Sequence, residues 1–288
     1  MAGRELYNGP MLSTDNHRRD SAGLRYVYPV ISRRAGGVSV GINLNPNNAC
    51  NWACLYCQVE NLSRGGPPPL DLALLTHELD GFLDAALHGD FMLRQVPENA
   101  RRLVDVAFSG NGEPTSAPEF AAAVAAVIAV LDRHALRGQV LLRLITNGSL
   151  LHRPGVQQGV AQLGDWGGEV WFKLDRAEAA AASEVNGSEL NPEKMAGQLA
   201  RCADLAPTWV QTCWFALDGK APDATAEDAY CSLLQPLAAR LAGVHLYGLA
   251  RPSLQPAAPR LSALPAAHLD AFAQRIQKKT GLRVVVSP

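Results

Sequence analysis

The run Val38-Ser39-Val40-Gly41-Ile42-Asn43-Leu44 leads within six residues into Cys50-Asn51-Trp52-Ala53-Cys54-Leu55-Tyr56-Cys57. The first segment reads as a strand, and the second sets three thiols at C-x3-C-x2-C spacing immediately after it. Upstream, residues 1–34 sustain no hydrophobic period and are expected to form an irregular arm. Downstream, Gly65-Gly66-Pro67-Pro68-Pro69 interrupts regular structure. Apolar residues then recur at helical spacing at Leu72, Leu75, Leu79, Phe82, Leu83 and Ala86.

From there strands and helices alternate. Strands are predicted at 103–108, 140–146, 169–174, 208–216, 244–249 and 282–286. Helices are predicted at 118–132, 155–163, 192–203, 225–241 and 265–279, with Asn191 as the N-cap ahead of Pro192. Alternation of this kind implies right-handed crossovers and a parallel sheet. Six to seven units suit an open, partial (β/α)6 barrel, while a closed eight-unit barrel or a doubly wound sheet would share the pattern. In each of these the chemistry gathers at the carboxyl ends of the strands.

Composition narrows the class. The 288 residues carry 48% hydrophobic and 18% charged side chains, as a globular protein does, with a formal net charge of −1 that argues against a general polyanion binder. No run approaches the roughly 18 apolar residues of a membrane span, and residues 1–20 hold no apolar signal core. The expected location is therefore the cytoplasm, without membrane contact. There a cysteine cluster points to metal or redox chemistry rather than to disulfides. Of the six cysteines, Cys202, Cys213 and Cys231 are scattered and read as buried small hydrophobes. A structural zinc would need a fourth ligand near Cys50, Cys54 and Cys57, and the next candidate, His77, falls within a predicted helix. Three thiolates on a four-iron cluster leave one iron open.

The other strand ends carry polar groups. After 103–108 comes Ser109-Gly110-Asn111-Gly112-Glu113-Pro114-Thr115, where glycines permit close backbone approach and a carboxylate can meet an ammonium. Taken alone it is also a tight turn. Thr146, Asn147, Lys173 and Asp175 close the next two strands, with capping or turn roles as the alternative. Lys173, a cation in an apolar strand, is expected to have a carboxylate partner. Tyr247 and Leu249 are candidate walls of a pocket, with Arg251 at its rim.

The C-x3-C-x2-C spacing, with Tyr56 just before the third cysteine, resembles the radical S-adenosylmethionine (SAM) superfamily. Ser109 to Thr115 is similar to the "GGE" motif of that superfamily, with Asn111 in place of the second glycine. Ser32 to Arg34 with Gly36-Gly37, Gly41 to Pro46, Cys50 to Gln58, and Leu246 to Pro252 resemble one branch more closely. That branch is the short Fe–S oxidoreductases related to the wyosine-base synthases of tRNA. Those synthases carry extra cysteines upstream of the motif, and this chain has none before Cys50.

The resemblance implies a radical SAM barrel at 35–252, with an arm at 1–34 and a helix–strand cap at 253–288. It implies a [4Fe-4S] cluster on Cys50, Cys54 and Cys57, with SAM chelating the open iron. Cofactor contacts would come from Gly110, Asn111, Gly112, Glu113, Thr146, Asn147, Lys173, Asp175, Tyr56, Tyr247 and Leu249. Reduction by flavodoxin or ferredoxin would lead to a 5′-deoxyadenosyl radical that takes hydrogen from a substrate. Three readings compete: an enzyme acting on a small molecule or peptide, a tRNA-modifying enzyme, and a non-catalytic iron–sulfur or zinc protein. Near-neutral charge favours the first. Six arginines against three acids in residues 1–34 keep the second open, with Arg33 and Arg34 as candidate anion contacts.

Overall fold

The computed structural model describes residues 11–13, 22–32, 36–189 and 191–288. Eight strands form one sheet: β1 (Val27–Ser32), β2 (Gly37–Ile42), β3 (Leu103–Phe108), β4 (Leu141–Thr146), β5 (Glu169–Lys173), β6 (Thr208–Cys213), β7 (Gly243–Tyr247) and β8 (Val284–Ser287). Their order in space is their order in the chain, so the two end strands do not pair and the sheet curls into a half-barrel. β1 runs antiparallel to β2, and every later pairing is parallel.

The helices are α1 (Leu72–Leu87), α2 (Phe91–Gln95), α3 (Phe120–Arg133), α4 (Pro154–Trp166), α5 (Ala179–Asn186), α6 (Pro192–Leu205), α7 (Ala224–Leu234) and α8 (Ala266–Thr280). Strands β2 to β6 are each followed by a helix, and the sixth strand, β7, is followed by α8, which the expected division put in the C-terminal cap. α8 and β8 are the expected C-terminal helix and strand, and β8 is the last strand of the same sheet. Helix α1 starts where Asp71 accepts the Leu74 N–H and buries Leu75, Glu78, Leu79, Phe82, Leu83 and Ala86. Pro192 and the Asn191 cap open α6 as anticipated, and Pro154 opens α4.

The arm departs from expectation. Val27–Ser32 is a strand, which Pro29 concealed because proline is a poor resident of a central strand. At a sheet edge it is tolerated. Glu78 anchors this segment by accepting the backbone N–H groups of Arg25 and Tyr26, each at 2.8 Å. Arg18, Arg19, Arg33 and Arg34 lie outside the described residues. The helix predicted to Leu241 ends at Leu234 and continues to Arg240 as a 3₁₀ turn containing Pro236, which cannot donate to an α-helical ladder. Helices α2 and α5 were not predicted.

The concave face is polar low in the barrel. Asp105 accepts from Ser39 Oγ and Arg143 Nη1, and Arg143 Nε donates to Glu169 at 2.8 Å. Trp171 Nε1 donates to the same Glu169 oxygen at 2.9 Å, and the Arg143 guanidinium lies 4.1 Å from the Trp171 ring centre. Buried charges of this kind are tolerated only when paired.

Candidate active site

A cavity of about 440 Å³ opens at the carboxyl ends of the strands. Cys50, Cys54 and Cys57 all line it, together with Tyr56, Gly110 to Glu113, Asn147, Lys173, Tyr247 and Leu249. Among the described residues, no three metal-ligating side chains are close enough together to share one ion. Three thiolates on one loop are a donor set that an iron–sulfur cluster could take, each on a different iron. Burial pushes the Cys50 thiol up to about 11 and Cys54 up to about 12, with Lys173 opposing the shift at Cys54.

The cysteine loop is held by asparagines. Asn51 Oδ1 accepts from Asn147 Nδ2 at 2.8 Å, and Asn51 Nδ2 donates to Ser149 Oγ at 2.9 Å. Asn45 Nδ2 reaches the Ala49 carbonyl at 3.0 Å, and Asn111 Nδ2 reaches Asn48 Oδ1 at 2.6 Å. Gly110 has φ +144°, and a Cβ there would lie 2.4 Å from Asn43 Oδ1, so glycine is required. Asn43 Oδ1 also accepts the Asn111 N–H at 3.1 Å, which ties the loop after β3 to the end of β2.

Two more segments fasten the cysteine loop. The end of α5 accepts Ala53 N–H at the Asn186 carbonyl (2.9 Å) and Leu55 N–H at the Val185 carbonyl (2.8 Å). Residues 253–255 close the other side. Ser253 Oγ donates to the Leu55 carbonyl at 2.6 Å, Leu254 N–H to that of Cys57 at 3.0 Å, and Gln255 Nε2 to that of Val59 at 2.7 Å. Arg64 bridges, donating to the Asn51 carbonyl at 2.6 Å and to that of Gly187.

Thr146 and Asp175, expected to face the mouth, are both buried. Thr146 donates to Glu113 at 2.6 Å. Asp175 accepts from Tyr56 Oη (2.5 Å), Asn186 Nδ2 (2.7 Å) and the Cys213 N–H (2.9 Å). Lys173, expected to have a carboxylate partner, makes no ion pair within 4.0 Å among the described residues, but the Asp175 carboxylate acts on it through space. Its Nζ lies 3.4 Å from Tyr247 Oη and 5.0 Å from the Tyr56 ring centre. Burial works against the Lys173 charge, yet the Tyr247 and Asp175 oxygens outweigh it and raise its pKa. Lys173 therefore presents a cation to the cavity beside Cys54.

Glu113 also serves the protein itself. Its carboxylate accepts from Thr115 N–H, Thr115 Oγ1, Thr146 Oγ1 and the Asn147 N–H. Burial raises its pKa, against the pull of those four donors. Cys202 and Cys231 are buried in the core, as expected. Cys213 is buried too, but it lines the cavity. Arg143, Asn186 and Gln211 were missed, since each sits singly in a strand or helix without a motif.

A radical SAM methyltransferase from Sphaerobacter thermophilus has a similar structure. The likeness covers 91% of this chain and 68% of that one, with a TM-score of 0.60 and 15% identity. The fold is that of the radical SAM enzymes. A hexahistidine-tagged anSMEcpe with bound AdoMet is also similar in structure, over 86% of this chain and 63% of its own, with a TM-score of 0.50 and 13% identity. At these identities the likeness is one of fold. GTPase Obg of Brachyspira hyodysenteriae (strain ATCC 49526 / WA1) is 25% identical over 146 residues, 50% of this chain. This chain spans 18% of the length of that protein and contains no G-x4-G-K-[ST] phosphate loop. No protein-family model matches the chain.

Proposed function

We propose that this protein is a radical SAM enzyme with a [4Fe-4S] cluster on Cys50, Cys54 and Cys57 and SAM beside it in the cavity. The observation that carries the reading is the convergence of three thiols, Cys50, Cys54 and Cys57, on one cavity. Soft thiolates suit iron–sulfur chemistry, and three of them leave a coordination site for a cofactor. Bound together and given one electron, cluster and SAM supply methionine and a 5′-deoxyadenosyl radical.

The chain's own residues bind and orient. Cys50 and Cys54 must lose protons that burial retains, so loading releases protons. Peptide groups at Gly110 to Glu113 accept the SAM ammonium, while Glu113 keeps the loop in shape. Lys173 faces the SAM carboxylate as the cation of the wall. Tyr247 and Leu249 supply apolar wall for the adenosine, and Asn147 supplies a polar edge. Tyr56 packs edge-on against Phe215 at 5.6 Å.

The substrate is a small molecule or peptide, and the electron donor a flavodoxin or ferredoxin. The setting is the reducing cytoplasm, and among the described residues no helix is long and apolar enough to cross a membrane. Kinship with the wyosine-base synthases rests on the sequence runs at 32–37, 41–46, 50–58 and 246–252, and near-neutral charge weighs against tRNA. Anaerobic reconstitution tests the whole reading. The protein should take up about four irons and four sulfides and, with dithionite, convert SAM to 5′-deoxyadenosine. A loaded cluster that never cleaves SAM would leave an electron-transfer protein instead.

A further inference from the structure

Asn186 ends helix α5 and is 1% exposed. Its Nδ2 lies 3.3 Å from Cys54 Sγ and 2.7 Å from Asp175 Oδ2. Both neighbours are acceptors, so the two amide protons are shared between a carboxylate and a cluster-ligand sulfur. Chemistry fixes that orientation, because the flipped amide would aim its oxygen at two electron-rich partners. The arrangement carries a cost: Asn186 Oδ1 is buried with no hydrogen-bond partner.

The side chain is not needed to fasten the loop. The α5 carbonyls of Val185 and Asn186 already hold the Leu55 and Ala53 N–H groups. Cys50 Sγ also receives a hydrogen bond, but from the Trp52 backbone at 3.4 Å. Among the described residues, Asn186 is the side chain that donates to one of the three sulfurs.

We propose that Asn186 sets the reduction potential of the cluster by donating a hydrogen bond to the Cys54 thiolate. This rests on the reading above that Cys54 ligates a [4Fe-4S] cluster. Reduction adds negative charge to the cluster and its sulfurs, and an N–H aimed at the thiolate stabilises that charge. The potential therefore rises, and a weaker donor suffices to load the electron. Asp175 acts in two ways: it orients the amide, and its own charge opposes reduction.

The test is an anaerobic redox titration of the reconstituted protein without SAM, following the EPR signal of the reduced cluster. Iron content is measured in parallel. Asn186→Leu keeps bulk and Asn186→Ala removes it, and both remove the donor. Each should hold wild-type iron yet show a more negative midpoint. The reduced-to-oxidised ratio at a fixed potential should fall at least about threefold, roughly 30 mV for a one-electron couple. Wild-type iron content in both variants excludes general loosening of the loop as the cause of the shift. Unchanged midpoints in iron-loaded Asn186 variants would overturn the proposal. So would loss of iron from both variants, which would make Asn186 a structural support. Failure of the wild-type protein to bind a cluster would refute the functional reading instead.

Discussion

Glu113 Oε2 accepts the backbone N–H of Asn147 at 2.7 Å, joining the loops after β3 and β4 through one buried carboxylate. Its other oxygen accepts from Thr115 and Thr146. Glu113→Ala would leave several buried donors without a partner. The cluster-free protein should lose roughly 3 kcal/mol of stability in a denaturant titration. SAM affinity should fall with it, because both loops border the cavity. A variant that weakens SAM binding at wild-type stability would instead make Glu113 a direct ligand contact.

Cys50→Ala, Cys54→Ala and Cys57→Ala should each abolish iron uptake, since two thiolates do not hold the cluster. Cys202→Ala and Cys231→Ala change core packing alone and should keep about four irons. Cys213→Ala should also keep its iron, although its side chain faces the cavity. Colorimetric iron and sulfide assays after anaerobic reconstitution decide each case.

A Cβ on Gly112 would stand 2.1 Å from the Ala49 carbonyl, next to Cys50. Backbone cannot yield as a flexible side chain can. Gly112→Ala should cost roughly 1–3 kcal/mol and reduce iron incorporation. Gly155, in α4, has open space around the same position. Gly155→Ala should be neutral or stabilising by about 0.5 kcal/mol, as thermal melts of the two variants would reveal.

Acid should erase one surface tie. Asp228 on α7 meets Lys279 and Arg275 of α8, each at 2.8 Å, and Lys279 first and Arg275 second hold its pKa below the ordinary 3.8. A carboxylate lowered by folding contributes stability above its unfolded pKa and loses it as pH falls through the folded value. Asp228→Asn should therefore melt below wild type near neutral pH. That gap should close below the ordinary carboxylate value. Melting temperatures of both proteins, measured downward from about pH 6, would expose a gap that persists.

If the substrate is not RNA, labelled bulk tRNA should bind the cluster-loaded protein no tighter than the non-specific range of about 10⁻⁴–10⁻⁶ M at physiological salt. Contacts from about four arginines to phosphates would give a salt slope of only about −3 to −4. Submicromolar binding that disappears when Arg18, Arg19, Arg33 and Arg34 become alanine would bring the tRNA reading forward.

Much of this architecture was legible in the sequence because strand and helix periods alternate cleanly. The loops at Cys50 to Cys57, Gly110 to Glu113 and Asn147 follow strands, and parallel topology brings strand ends to one rim. What escaped notice depended on direction and on distant partners. Val27–Ser32 was obscured by a proline whose tolerance depends on being at an edge. Thr146 and Asp175 sit at strand ends like Asn147 and Lys173, but whether a side chain faces the cavity or the wall is set by the local pleat and turn. Asn186 had no motif at all: its partner Cys54 is 132 residues earlier.

The cysteine loop is an early segment locked by late ones. Ser253 reaches Leu55 across 198 residues, and α5 closes the opposite side. On the ribosome the three thiols emerge long before either clasp exists. The last clasp can form only once residues 253–255 have been made. Loading of the proposed cluster would therefore meet an unclasped loop before those residues exist and a fastened one afterwards.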